Sequence, residues 1–150
     1  MAIRQLRLRD DEILKKRCKE VKKFDDKLSI LLDDMFETME KAEGVGLAAP
    51  QVGIIKRAVV IEIEDEKIEM VNPEIIETSG TQNGNEGCLS FPGLFGEVER
   101  PNYVKAKAQD RTGKTFIIEG EGLLARAICH ECDHLDGHVF TEKVTKYLEN

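Results

Sequence analysis

No apolar run in this chain of 150 residues approaches the roughly 20 residues that a membrane-crossing helix needs. The opening stretch, MAIRQLRLRD, carries arginines with no apolar segment behind them, which excludes a secretory signal. These two absences give the expectation of a cytoplasmic protein. Basic residues are in deficit, with 22 Lys and Arg against 29 Asp and Glu and a net charge of −7. A phosphate backbone would demand a basic face, so nucleic acid is not expected as a direct partner. There are no repeats, no low-complexity tracts and no Pro/Ser-rich linker, so residues 1–150 read as a single domain, long enough for a real core. Cysteines are few: Cys18, Cys88, Cys129 and Cys132. In a leaderless chain they are expected to stay reduced. Reduced cysteines beside histidines suggest metal chemistry before they suggest staples.

What is present suits a soluble globular protein, with 41% apolar and 34% charged residues. Asp25 to Glu43 places apolar residues at Leu28, Leu31, Leu32, Met35, Phe36 and Met39. Spacings of three and four predict an amphipathic helix, with aspartates at its start and Gly44 at its end. GVGLAAPQVG, Gly44 to Gly53, is too rich in glycine and alanine for a second such helix, and Pro50 breaks it. It reads as a loop or short strand whose backbone must approach something closely. Lys56 to Ile63 is β-branched and reads as a strand. Lys67 to Ile76 reads as a second strand, interrupted at Asn72-Pro73. Asn83 to Asn85 is a turn signal. Tyr103 to Gln109 and Lys114 to Glu119 form a hairpin around Asp110 to Gly113. Gly122 to His134 reads as a helix, with Gly137 close after it. The order implies an α+β fold: antiparallel sheets packed around a C-terminal HExxH helix, with an N-terminal amphipathic helix.

The chemistry concentrates in HECDH, His130 to His134. Each helical residue advances about 100°, so the two imidazoles lie on one face, one turn apart, and can grip one ion. Glu131 flanks that face, offset so that its carboxylate can take a proton from water and return it to a leaving amine. Downstream, only His138, Glu142 and Glu149 could add a ligand, and Gly137 ends the helix before His138 can share the face. Cys132 lies about 200° from His130 and Cys129 about 100° away on the side opposite Glu131. Cys88, in NEGCLSFPG, sits among turn residues and could bring a thiolate to the helix. A Cys/His/His set leaves one position open, which is a catalytic coordination. Each piece also has an ordinary explanation. A bare HExxH occurs by chance, Cys88 alone reads as a small buried hydrophobe, and GLAAPQ alone is a tight loop. Cys129 and Cys132 read as packing residues, Cys18 as surface or packing, and His138 as solvated or capping.

Taken together, GVGLAAPQ (Gly44 to Gln51), EGCLS (Glu86 to Ser90) and HECDHLDG (His130 to Gly137) resemble the three signature motifs of the peptide deformylases, in order and at similar separations. The resemblance implies hydrolysis of the N-formyl group from formyl-methionyl peptides, with release of formate. It implies Cys88, His130 and His134 as ligands of one iron(II), a set that also suits zinc, cobalt and nickel. It makes Glu131 the general base and then the general acid. Gln51 and the backbone N–H of Leu89 would hold the oxyanion. Val45 and Gly46 would pair with the substrate backbone. Ile128, with Gly44 to Leu47, would line the methionine pocket. Glu86 would pair with Arg100, and Asp133 would orient a ligating histidine, cap a neighbouring loop or stay solvated. Cys129, Cys132 and Phe95 depart from the usual residues of the family. Ribosome docking, which some members achieve with a longer C-terminal helix, is left open. The rival readings are a metal-binding scaffold without catalysis and an HExxH peptidase cutting ordinary amides. The first would predict loss of Glu131 or Gln51, and the second lacks a downstream ligand.

Overall fold

The structure, a computed structural model, describes residues 2–148. Its first long element is helix α1, Asp26–Lys41. Asp25 caps it by accepting the Leu28 N–H at 3.1 Å. The apolar positions predicted for this helix are all buried. The helix stops at Lys41; Glu43 takes φ 58° and the Gly44 N–H folds back to the Met39 carbonyl at 2.9 Å.

Eight strands follow in two sheets. Strands β1 (Gly46–Ala48), β2 (Ala58–Ile63), β3 (Glu66–Ser79), β4 (Gln82–Cys88), β5 (Phe91–Arg100), β6 (Tyr103–Gln109) and β7 (Thr115–Glu121) precede helix α2 (Leu123–Leu135), and β8 (Val144–Tyr147) comes after it. One sheet has the order β1-β2-β3-β6-β7 and the other β4-β5-β8. Every pairing within them is antiparallel. The fold is thus α+β, with two helices and antiparallel sheets.

Strand β2 shows why the larger sheet sits between the helices. Side chains alternate faces along a strand. Val59 and Ile61 join Ala125, Ile128 and Leu135 of α2 in one apolar cluster. Ala58 and Val60 join Leu28, Leu32 and Met35 of α1 in the other. All four β2 residues are fully buried. Cys18, read from sequence as surface or packing, is packed: it lies in the α2 cluster, and its N–H donates to Leu135 O at 2.8 Å. Among the described residues no helix is long and apolar enough to cross a membrane.

One local expectation is overturned and two are refined. Asn83 to Asn85, expected as a turn, lie inside β4 and pair with Glu99, Val98 and Glu97 of β5. Tertiary pairing overrides a local turn preference there. GVGLAAPQVG divides into β1 and a 3-10 turn, Ala49–Val52. Asn72-Pro73 bends β3 without ending it, as a register shift between Val71 and Glu74 against β6. Asn72 adopts φ 52°. Its side chain donates to Val21 O and Gln109 Oε1, both at 2.9 Å, and accepts from Val21 N at 2.8 Å. Asn72→Ala removes all three bonds and leaves a side chain poorly suited to positive φ. The expected loss is about 3 kcal/mol, read as a lower urea midpoint at unchanged slope.

Candidate active site

Strand β4 and helix α2 meet along matched rows. Alternate strand residues face one way and advance roughly 6.7 Å per pair. A helix face repeats every four residues, with a rise of about 6 Å. Gln82, Gly84, Glu86 and Cys88 therefore keep step with Arg126, His130 and His134. Arg126 reaches Gln82 at 3.3 Å and Glu86 at 2.6 Å, His130 Nδ1 donates to Glu86 Oε1 at 2.7 Å, and Cys88 Sγ lies 3.4 Å from His134 Nε2.

The candidate ligand atoms of Cys88, His130 and His134 lie within 4.8 Å of one another, and this is the one such group among the described residues. His130 commits Nδ1 to Glu86, which leaves Nε2 for a cation. His134 Nδ1 and Glu131 Oε1 are buried without a hydrogen-bond partner among the described residues. Burial, then the neighbouring His130, holds His134 well below its ordinary value, so its ring stays neutral and able to ligate. Burial opposes charge on His130 too, but Glu131, Cys88 and Glu86 outweigh it and push the ring up to about 10. The surrounding acidic groups thus favour positive charge at this spot. A divalent cation displacing that proton satisfies the same field, so the donor set fits a metal. Burial pushes the Glu131 carboxyl of the metal-free site up to about 7. Burial also raises Cys18 to about 11 and raises Cys129 and Cys132, so these thiols stay protonated in the core.

A cleft of about 490 Å³ opens over this group, with Gly44, Val45, Gly46, Leu89, His130 and Glu131 among its walls. A Cβ on Gly46 would stand 2.5 Å from Glu131 Oε2, which explains the glycine. Gln51 lies behind the wall, 1% exposed. Its Oε1 accepts from Ala48 N at 2.9 Å, and its Nε2 lies 3.0 Å from Ser90 Oγ and 3.4 Å from Cys88 Sγ. Ile128 does not reach the cleft. It is fully buried in the sheet-facing cluster. Two positions from His130 is about 200° around a helix, so Ala127 and Leu123 take that wall instead. His138 is exposed and pairs with Glu142 at 3.2 Å, apart from the ligand group. Glu149 lies outside the described residues. Asp133 accepts from Arg100 at 2.7 Å and Lys143 at 3.0 Å, so it is neither solvated alone nor bound to a ligand ring.

Sequence reasoning missed two neighbours of His130. Phe140 is 1% exposed, and its ring packs 5.8 Å from that of His130. Arg126 was legible in principle, since it stands four residues before His130 on the same face.

An α+β scaffold that gathers a thiol, two imidazoles and a buried carboxylate in a peptide-sized cleft is of the kind used by metal-dependent hydrolases. The family model described as polypeptide deformylase matches residues 3–150, and the chain belongs to that family. It is 58% identical over 148 residues to a peptide deformylase from Caldicellulosiruptor bescii, covering 99% of this chain and 89% of that one. The crystal structure of the Thermotoga maritima peptide deformylase matches with TM-score 0.93 at 42% identity, covering 95% of this chain and 98% of that one. That from Legionella pneumophila matches with TM-score 0.92 at 47% identity, covering 95% and 86%.

The pairing of Glu86 has a consequence for acid stability. Burial alone would raise its carboxyl, but the hydrogen bonds from Arg100 and His130 outweigh that and hold it far below the usual range. A depressed carboxyl contributes stability above its unfolded value of about 4.3 and loses it as pH falls further toward the folded value. The metal-free protein should therefore lose stability steadily below about pH 4. Urea midpoints taken across that range should fall less steeply for Glu86→Gln.

Proposed function

We propose that this chain removes the N-formyl group from the formyl-methionyl end of nascent peptides and releases formate, acting as one catalytic unit over residues 1–150, with its sheets packed around the HECDH helix. The observation that carries this is the convergence of Cys88, His130 and His134 beside a buried Glu131 at a glycine-floored cleft, in a chain of the deformylase family. Cys88, His130 and His134 hold the ion, which is iron(II), with zinc, nickel or cobalt able to substitute. A bound divalent ion supplies Lewis acidity at the formyl carbonyl and acidifies water.

The chain's own residues do the rest. Glu131 takes a proton from the water whose oxygen bonds to the formyl carbon. It then delivers that proton to the amine nitrogen as the C–N bond breaks, leaving formate and a free amine. The Gln51 amide has two N–H groups; one holds Ser90, and the other, facing Cys88, can donate to the formyl oxygen as it gains charge. The Leu89 N–H, in the turn just after Cys88, is the second donor. Two such donors aimed at developing charge can each contribute roughly 3 kcal/mol to the barrier. Strand β1 is an edge of the larger sheet, so Val45 and Gly46 can align a peptide backbone beside it. The methionine side chain lies against Gly44, Leu89 and Ala127, where its thioether adapts to an irregular apolar wall. Encounter with nascent chains places the protein in the cytoplasm, in transient contact with the ribosome.

The direct test is formate release from a formyl-Met tripeptide by protein loaded with iron(II) without oxygen. Turnover that fades in air supports the reading; no release with iron, nickel or cobalt ends it. Glu131→Ala should keep the ion and lose nearly all turnover. Gly46→Ala tests the carboxylate's position. The fold should tolerate the methyl, because a flexible side chain can yield. The carboxylate, however, must shift, and kcat/KM should drop about 100-fold while the melting temperature stays close to that of the parent.

A further inference from the structure

We infer that Arg126 is a positioning residue for the metal centre, acting through Glu86 to fix the tautomer and aim of His130. This rests on the proposed assignment of Cys88, His130 and His134 as ligands. Arg126 stands one helical turn before His130 and is 6% exposed. Its Nη1 donates to Glu86 Oε2 at 2.6 Å and to Val98 O at 3.0 Å, and its Nη2 to Gln82 Oε1 at 3.3 Å. The other oxygen of Glu86 accepts the Nδ1–H of His130 at 2.7 Å. Holding one oxygen therefore fixes where the other meets the ring.

Arg100 also grips Glu86, with Nε on Oε2 at 2.8 Å and Nη2 on Oε1 at 2.9 Å. Its charge is shared, however, because its Nη1 binds Asp133 at 2.7 Å. The other partners of Arg126 are neutral carbonyl oxygens, so its charge serves Glu86 alone among the described carboxylates. Two features of β4 fit this placement. Gly84 leaves room for the guanidinium, since a Cβ there would stand 2.9 Å from Nη2. Gln82 joins Arg126 to the start of α2, donating to Gly122 O at 2.8 Å. Losing a group bonded directly to a ligand, as Glu86 is to His130, typically changes metal affinity about 10–100-fold, and Arg126, one bond further out, is expected at the lower end of that range.

The test uses cobalt(II) as probe. Wild type, Arg126→Leu, Arg126→Lys and Gly84→Ala are loaded with cobalt(II). Their visible spectra and their rates of cobalt loss to excess chelator are then compared, with apo melting temperatures measured alongside. Arg126→Leu should shift the d–d bands and release cobalt about tenfold faster or more. Arg126→Lys, which keeps the charge and one donor, should fall between the two. Gly84→Ala, which crowds the guanidinium, should move in the same direction by less. A wild-type spectrum and release rate in Arg126→Leu, however far its melting temperature falls, would mean that Arg126 only supports the fold. If Arg126→Leu does not fold, wild-type spectra and rates in both Arg126→Lys and Gly84→Ala overturn the inference. A wild-type protein that takes up no cobalt overturns the ligand assignment itself, and the role of Arg126 with it.

Discussion

The buried carboxylate of Glu86 is the constraint on which the site depends. Desolvating a carboxylate costs several kcal/mol unless good hydrogen bonds repay it. Glu86 receives them from Arg100 on β5 and from Arg126 and His130 on α2. One side chain thus ties the smaller sheet to the helix at the point where Cys88 must face His134. Breaking such a set leaves charges buried without partners, which costs far more than its formation gains. The arrangement is therefore better understood as fixing geometry than as adding stability.

The matched advance of strand and helix makes this possible. Two strand residues and four helix residues cover nearly the same distance. A row of alternate β4 side chains can then meet a row of α2 side chains from Gln82 to Cys88, although the ladder with β5 shifts register between Gly87 and Cys88. The apolar side of α2 packs on β2, β3 and β6 through Ile128, Cys132 and Leu135. The helix is held from the sheet behind while its polar face meets β4. Glycine appears where backbone must come close: Gly46 lies against the Glu131 carboxylate and Gly84 against the Arg126 guanidinium.

Much of this was legible beforehand, for physical reasons that differ between residues. Helix α1 was readable because its apolar spacing and its Asp25 cap are local features. The exclusion of Cys129 and Cys132 from the ligand group followed from angle alone, and both lie in the core. The same angle should have removed Ile128 from the cleft; assigning it there came from the family resemblance and not from its place on the helix. Asn83 to Asn85 carried a real local turn preference, but the ladder with β5 outweighed it. Phe140 gave no signal, because nothing near it in sequence shows that it packs on the His130 ring.

By itself the sequence determined that His130, Glu131 and His134 share a helical surface, because that spacing follows from covalent geometry and backbone hydrogen bonds within one element. It likewise marked Lys56 to Ile63 as a strand through its β-branched residues, while the helices that cover both faces of β2 were a tertiary outcome. Cys88 could be named as the candidate thiol from its motif, but only the tertiary structure brings it to those rings. Cys88 stands 46 residues before His134 and arrives beside it because two sheets and a helix pack around it. The same packing buried Glu131, turned Gln51 toward the thiol and gave Glu86 its cations. Those outcomes depend on long-range burial and charge pairing, which no local pattern of residues encodes.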